Sequence, residues 1–107
     1  MWRLLLLCTL VCCSDAVDEI KLGDDAFANV CARCHGQDGT GGVAATNGVR
    51  PRDLTDPAWQ ASLGDGQIEA VIRIGKPPMP AFQPALSNAG IRSVVAKVRR
   101  LRRKETR

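Results

Sequence analysis

Cys31-Ala32-Arg33-Cys34-His35 is the stretch on which the reading of this chain turns. Two thiols three positions apart, with an imidazole next, spell C-x-x-C-H, the spacing used for covalent haem attachment. On a helix Cys31 and Cys34 share one face, within reach of two vinyl groups along one edge of a haem. His35 can then swing under the ring and bind the iron as proximal ligand. Phe27, Val30, Cys31 and Cys34 fall at i, i+3, i+4 and i+7, so the helix leading in should carry one apolar stripe. His35 is the only histidine of the chain, and Met79 is the only methionine besides Met1. Met79 lies in Pro77-Pro78-Met79-Pro80, where three prolines stiffen the backbone around a thioether. These residues together indicate one haem c, covalently held by Cys31 and Cys34 and ligated by His35 and Met79.

Size and cysteine usage agree with a cofactor-stapled domain. The chain has 107 residues and five cysteines. Residues 1–16 hold a lone positive charge at Arg3, an apolar run from Leu4 to Cys13, and small residues before a cut after Ala16. That pattern reads as a secretory signal and is too short for a stable membrane anchor. A retained helix, or lipidation at Cys13, are the alternatives. Residues 17–107 form the remaining domain, whose cysteines are Cys31 and Cys34 alone and whose aromatic rings are Phe27, Trp59 and Phe82. With no disulfide framework and so few rings, a chain of this length needs added hydrophobic volume, which a buried haem supplies.

Charge is distributed unevenly. Residues 17–65 carry four basic and eight acidic side chains, a net of −4; residues 66–107 carry ten and two, a net of +8. Much of the excess lies in the tail from Arg99 to Lys104. Such a cluster either steers the protein to acidic partners or membrane surfaces, or complements its own helix dipole. An exported chain with no recognition motif is not a nucleic-acid binder.

Asp24 and Asp25 after Gly23 suit the first turn of a helix that should end before Gly36. Gly36 to Asn47 reads as a loop around the proximal side. Asp56-Pro57 should open a short helix to about Leu63. Within it, Trp59 either packs beside the haem with its N–H toward a propionate or is a core ring. Arg50 and Arg52 are candidates to neutralise propionates. Asp65 should cap the next helix, with Ile68, Val71 and Ile72 on one face and Gly75 closing it. Ser87 should cap the last, whose apolar face is Ile91, Val94, Val95, Val98 and Leu101. With no alternating strand pattern, the expected fold class is all-α, about four short helices around one haem.

Taken with Gly23 and Phe27 before the haem motif, Pro51-Arg52-Asp53-Leu54, Ile72 and Gly75, and Met79-Pro80-Ala81-Phe82, the chain resembles class I c-type cytochromes. The resemblance covers residues 20–103. It implies terminal helices that cross near Gly23 and Phe27, and a proline carbonyl, here Pro51, that holds the proximal imidazole. Lys97 departs from the pattern, standing where relatives often carry an aromatic ring.

The expected function is periplasmic one-electron transfer by a monomer, with no enzymatic activity of its own. Its partners would be redox protein donors and acceptors with acidic docking surfaces, and its membrane contact peripheral or through a lipid anchor. The alternative is an electron-entry subunit of a respiratory oxidase, reductase or dehydrogenase. A sensor haem from which Met79 detaches, and a haemless C-x-x-C thiol oxidoreductase, stand behind these.

Overall fold

The computed structural model of the protein describes residues 12–42 and 48–105. Most of the expected signal segment, and residues 43–47 of the expected proximal loop, lie outside the described residues. The first helix, α1, covers Cys12–Ala26. It therefore begins well before Gly23, and the expected start at Gly23-Asp24-Asp25 is corrected. No proline or glycine interrupts residues 12–22, so the helix extends through them. Gly23 sits inside the helix for a different reason. A Cβ there would run into the carbonyl oxygen of Ser93 on the last helix, so glycine is what lets the two backbones cross this closely.

After Ala26 the helix widens into a π-turn, Phe27–Cys31, in which the Ala32 N–H reaches back five residues to the Phe27 carbonyl. One extra residue in the turn shifts the register of all that follows. Phe27 and Ala32 are buried, whereas Val30 and Cys34 are exposed and Cys31 is half-buried. The expected continuous stripe through Phe27, Val30, Cys31 and Cys34 is therefore split. Phe27 faces the core and Cys31 packs at its edge, whereas Val30 and Cys34 are turned outward. A short α2, Ala32–His35, completes this arm and stops at Gly36.

Helix α3, Pro57–Ser62, begins as expected, with Asp56 accepting a hydrogen bond from the Ala58 N–H at 3.0 Å and proline in the first turn. Helix α4, Asp65–Ile74, is capped one residue earlier than expected. Gly64 is the cap, its N–H donating to Gln67 Oε1 at 2.8 Å, and Asp65 is the first helical residue. Ile68 and Ile72 face the core, while Val71 is at the boundary of exposure. Helix α5, Asn88–Arg100, has Ser87 as its cap, accepting from the Gly90 N–H at 3.0 Å. Its face of Ile91, Val94, Val95 and Val98 is buried against Phe27, Leu54, Ile68 and Ile72. Each such side chain contributes about 1.5–3 kcal/mol of burial. Among the described residues the regular elements are helical, and no helix is long and apolar enough to cross a membrane. The fold is all-α.

The two oppositely charged halves of the chain meet across this core. Asp24 on α1 accepts from Arg100 at 2.9 Å and pairs with Lys97 at 3.2 Å. Arg99 donates to Asp65 at 2.7 Å and to the carbonyls of Gln60 and Leu63, and Arg103 pairs with Asp53 at 3.4 Å. Much of the basic tail thus answers carboxylates and carbonyls of its own chain. Lys97 also places its ammonium 5.8 Å from the Phe27 ring centroid, so a cation–π contact stands where an aromatic ring was expected.

Candidate functional site

The C-x-x-C-H arm is presented on a single backbone, π-turn then α2, anchored by buried Phe27 and Ala32. Cys31 packs against the edge of the core and Cys34 is exposed, both as thiols without a disulfide partner. Burial pushes the Cys31 thiol above its ordinary range, with a smaller contribution from Cys34. The arm presents two neighbouring sulfurs on one backbone.

His35 is half-buried and its Nδ1 lies 3.1 Å from the carbonyl oxygen of Arg52. A carbonyl can only accept, so Nδ1 carries a proton, and in the neutral ring that leaves the lone pair on Nε2. The carbonyl in this role was expected to be that of Pro51 and is one residue further on. The Pro51 carbonyl instead lies against Gly41, close enough that a Cβ on Gly41 would meet it at 2.5 Å.

Arg52 and Trp59 come together. The guanidinium lies 5.8 Å from the indole centroid, and the ring itself is half-buried against the core cluster. This is a cation–π contact, with the guanidinium side exposed. Arg50 is exposed nearby in sequence.

Met79 sits in a separate loop. Its N–H donates to the Lys76 carbonyl at 2.8 Å and its carbonyl accepts from the Lys76 N–H at 3.0 Å, closing a tight turn over Pro77-Pro78. Phe82 and Gln83 then tie the loop to the end of α4 through the carbonyls of Ile72 and Arg73, at 3.0 and 3.3 Å. Gly75, at φ +85°, begins the loop. Met79 is half-buried against the same core cluster that Cys31, Trp59 and Phe82 border.

Sequence reasoning missed Gln60. This buried amide joins α3 to the Leu54 carbonyl and to α5. A polar residue on a six-residue helix leaves no periodic signature, so its adjacency to Trp59 was the only cue. Arg99 and Arg103 were read as tail charges, although they are internal ties.

An all-α chain with a C-x-x-C-H arm, an imidazole whose free nitrogen is set by a backbone carbonyl, and a thioether at the border of the same core is a c-type cytochrome in class. The model of the family described as "Cytochrome C oxidase, cbb3-type, subunit III" matches residues 18–96, and the chain belongs to that family of c-type cytochrome domains. The protein is also similar to a solved structure, the "KustC0563 c-type cytochrome", at 29% identity and a TM-score of 0.63. The match covers 76% of this chain and 98% of that one. Class I c-type cytochrome is thus the family, and covalently bound haem c is its implied cofactor. The donor set fits that group: two unpaired thiols, a neutral imidazole nitrogen and a thioether are all available. Membership points to electron transfer.

Proposed function

We propose that the protein is an exported one-electron carrier with one haem c, held through Cys31 and Cys34 and ligated by His35 and Met79. The observation that carries the reading is the His35–Arg52 contact at 3.1 Å, which holds the imidazole in the tautomer that binds iron. The bound haem supplies an Fe(III)/Fe(II) couple, and a thioether ligand favours the reduced state. The protein's own work is positional. The α2 arm presents the two thiols and the imidazole, the Lys76–Met79 turn presents sulfur, and Trp59 with Arg52 supports a propionate edge. With His35 and Met79 both serving as ligands, the bound haem would carry electrons rather than take a substrate. Cleavage after Ala16, leaving residues 17–107 in the periplasm, completes the reading.

The test is the visible spectrum of the purified protein, oxidised and reduced, before and after denaturation. A c-type spectrum that survives denaturation is expected, with a weak far-red sulfur-to-iron band in the native oxidised form. Met79→Ala should abolish that band and lower the reduction potential while leaving the haem attached. A colourless protein made alongside a working haem-attachment system would end the reading.

A second reading, an electron-entry subunit of a respiratory oxidase, draws on the family description alone. Recovery of the protein in a stoichiometric complex with an oxidase core after gentle solubilisation would favour it over a free carrier.

A further inference from the structure

We propose that Gln60 is a positioning residue for the axial imidazole, acting through the Arg52–Leu54 segment. The proposal rests on the reading of His35 as proximal ligand. The carbonyl that holds His35 belongs to Arg52, whose own side chain is exposed and stacked on Trp59, so that side chain does not fix the backbone carbonyl. What holds the segment lies two residues on. The Leu54 N–H donates to the Gly39 carbonyl at 2.8 Å, and the Leu54 carbonyl accepts from Gln60 Nε2 at 2.8 Å.

The Gln60 amide is itself fully committed. Nε2 also donates to the Val98 carbonyl at 2.7 Å, and Oε1 accepts from Arg99 Nη1 at 2.9 Å. Flipping the amide would face its oxygen to two carbonyl oxygens and its nitrogen to a guanidinium, so its orientation is determined. Gln60 is only 4% exposed, and water cannot readily replace the bonds it makes.

These contacts close a ring. It runs from α1 through the π-turn and α2 to His35, across to Arg52 and Leu54, through Gln60 to Val98 on α5, and back to α1 at the Gly23–Ser93 crossing. Releasing Gln60 frees the Leu54 carbonyl, two residues beyond the Arg52 carbonyl that meets the imidazole, and so loosens the ring at this segment. A hydrogen bond to the distant nitrogen of a ligating imidazole raises its basicity and favours the oxidised metal. Gln60 therefore stabilises the oxidised form without touching the ligand.

The experiment compares the haem-loaded protein, as purified after export, with Gln60→Leu and Gln60→Glu, and with Ile91→Val as a packing control on α5. Three quantities are read: thermal stability, solvent exchange of the His35 Nδ1 proton by NMR of the reduced protein, and the reduction potential. Gln60→Leu should speed that exchange roughly tenfold, the scale of one lost net hydrogen bond, and move the potential upward. Ile91→Val should lose stability with neither change. If Gln60→Leu loses stability but leaves exchange and potential at the wild-type values, the residue is core packing and the proposal is overturned. Should Gln60→Leu not fold, Gln60→Glu decides. It keeps the volume and gains charge pairing with Arg99 but has no N–H donor; its charge acts on the potential directly, so exchange alone decides there, and unchanged exchange would overturn the proposal equally. An unsubstituted protein without covalent haem would remove the underlying reading, and the proposal with it, before any variant is compared.

Discussion

The two candidate axial ligands are held in very different ways. His35 stands at one point of a closed ring of helices and hydrogen bonds, an exposed one to Arg52 and buried ones from Gln60 to Leu54 and Val98. Met79 stands in a loop closed by backbone bonds over a single turn, with two further bonds to the end of α4. Opening the first means exposing a buried amide and its carbonyls; opening the second means straightening a surface turn. The proximal side is therefore built as part of the core, and the distal side as an attachment to it.

The largest expected effect breaks both sides at once. Gly23→Ala forces a methyl into the Ser93 carbonyl at the α1–α5 crossing and should cost about 3 kcal/mol of stability. Denaturant unfolding would measure it, and both the far-red band and the His35 proton protection should be lost in one transition. Separate transitions would show that the two sides are not hung on the same crossing.

Gly75→Ala should separate them. At φ +85° the new Cβ is strained, and it would meet the Ala81 nitrogen at 2.7 Å and the Pro80 carbonyl carbon at 2.9 Å. We expect a cost of about 2 kcal/mol, a weakened far-red band, and a His35 Nδ1 proton that exchanges as in the parent. Faster exchange of that proton would contradict the division into core and attachment.

Lys97 offers a smaller lever on the proximal arm. Its ammonium lies over Phe27 and against Asp24, so Lys97→Ala should lose about 1 kcal/mol. Lys97→Tyr, which restores a ring at this position, should keep most of the stability. Equal losses in both variants would mean that ring contact with Phe27 contributes little.

The smallest effect is on the acid side. Arg100 first and Lys97 second hold the Asp24 carboxyl below its usual 3.8, and the Thr55 hydroxyl, ahead of Arg103, does the same for Asp53. A carboxyl lowered in the folded state stabilises it above the unfolded value, and that contribution disappears as pH falls through the folded value. Stability should be level down to about pH 4.5 and decline below the carboxylate range. In Asp24→Asn with Asp53→Asn the decline should be shallower. An unchanged slope in the double variant would show that these exposed pairs contribute nothing to the arm.

Chemistry was far more legible in the chain than geometry. Covalent attachment chemistry is encoded in consecutive residues, so Cys31, Cys34 and His35 stood out as the proposed haem site, and its uniqueness singled out Met79 as the proposed second ligand. The caps at Asp56 and Ser87 and the α5 face from Ile91 to Val98 were also legible, because local hydrogen bonding and 3.6-residue periodicity are properties of short windows. The π-turn was not, since one inserted residue leaves the composition of the stripe intact while rotating half of it away from the core. Nor was the choice between the Pro51 and Arg52 carbonyls, of which the first lies against Gly41 across the loop and the second meets the imidazole.

The sequence by itself determined the class of this protein: an all-α chain offering two thiols, an imidazole and a thioether, in the order and spacing of a c-type cytochrome. Only the tertiary structure decided how those groups are held. Gln60 reaches Val98 across 38 positions and Arg100 reaches Asp24 across 76. Contacts at such separations carry no local pattern, because they exist only once α5 has packed across α1 and brought the two ends of the chain together.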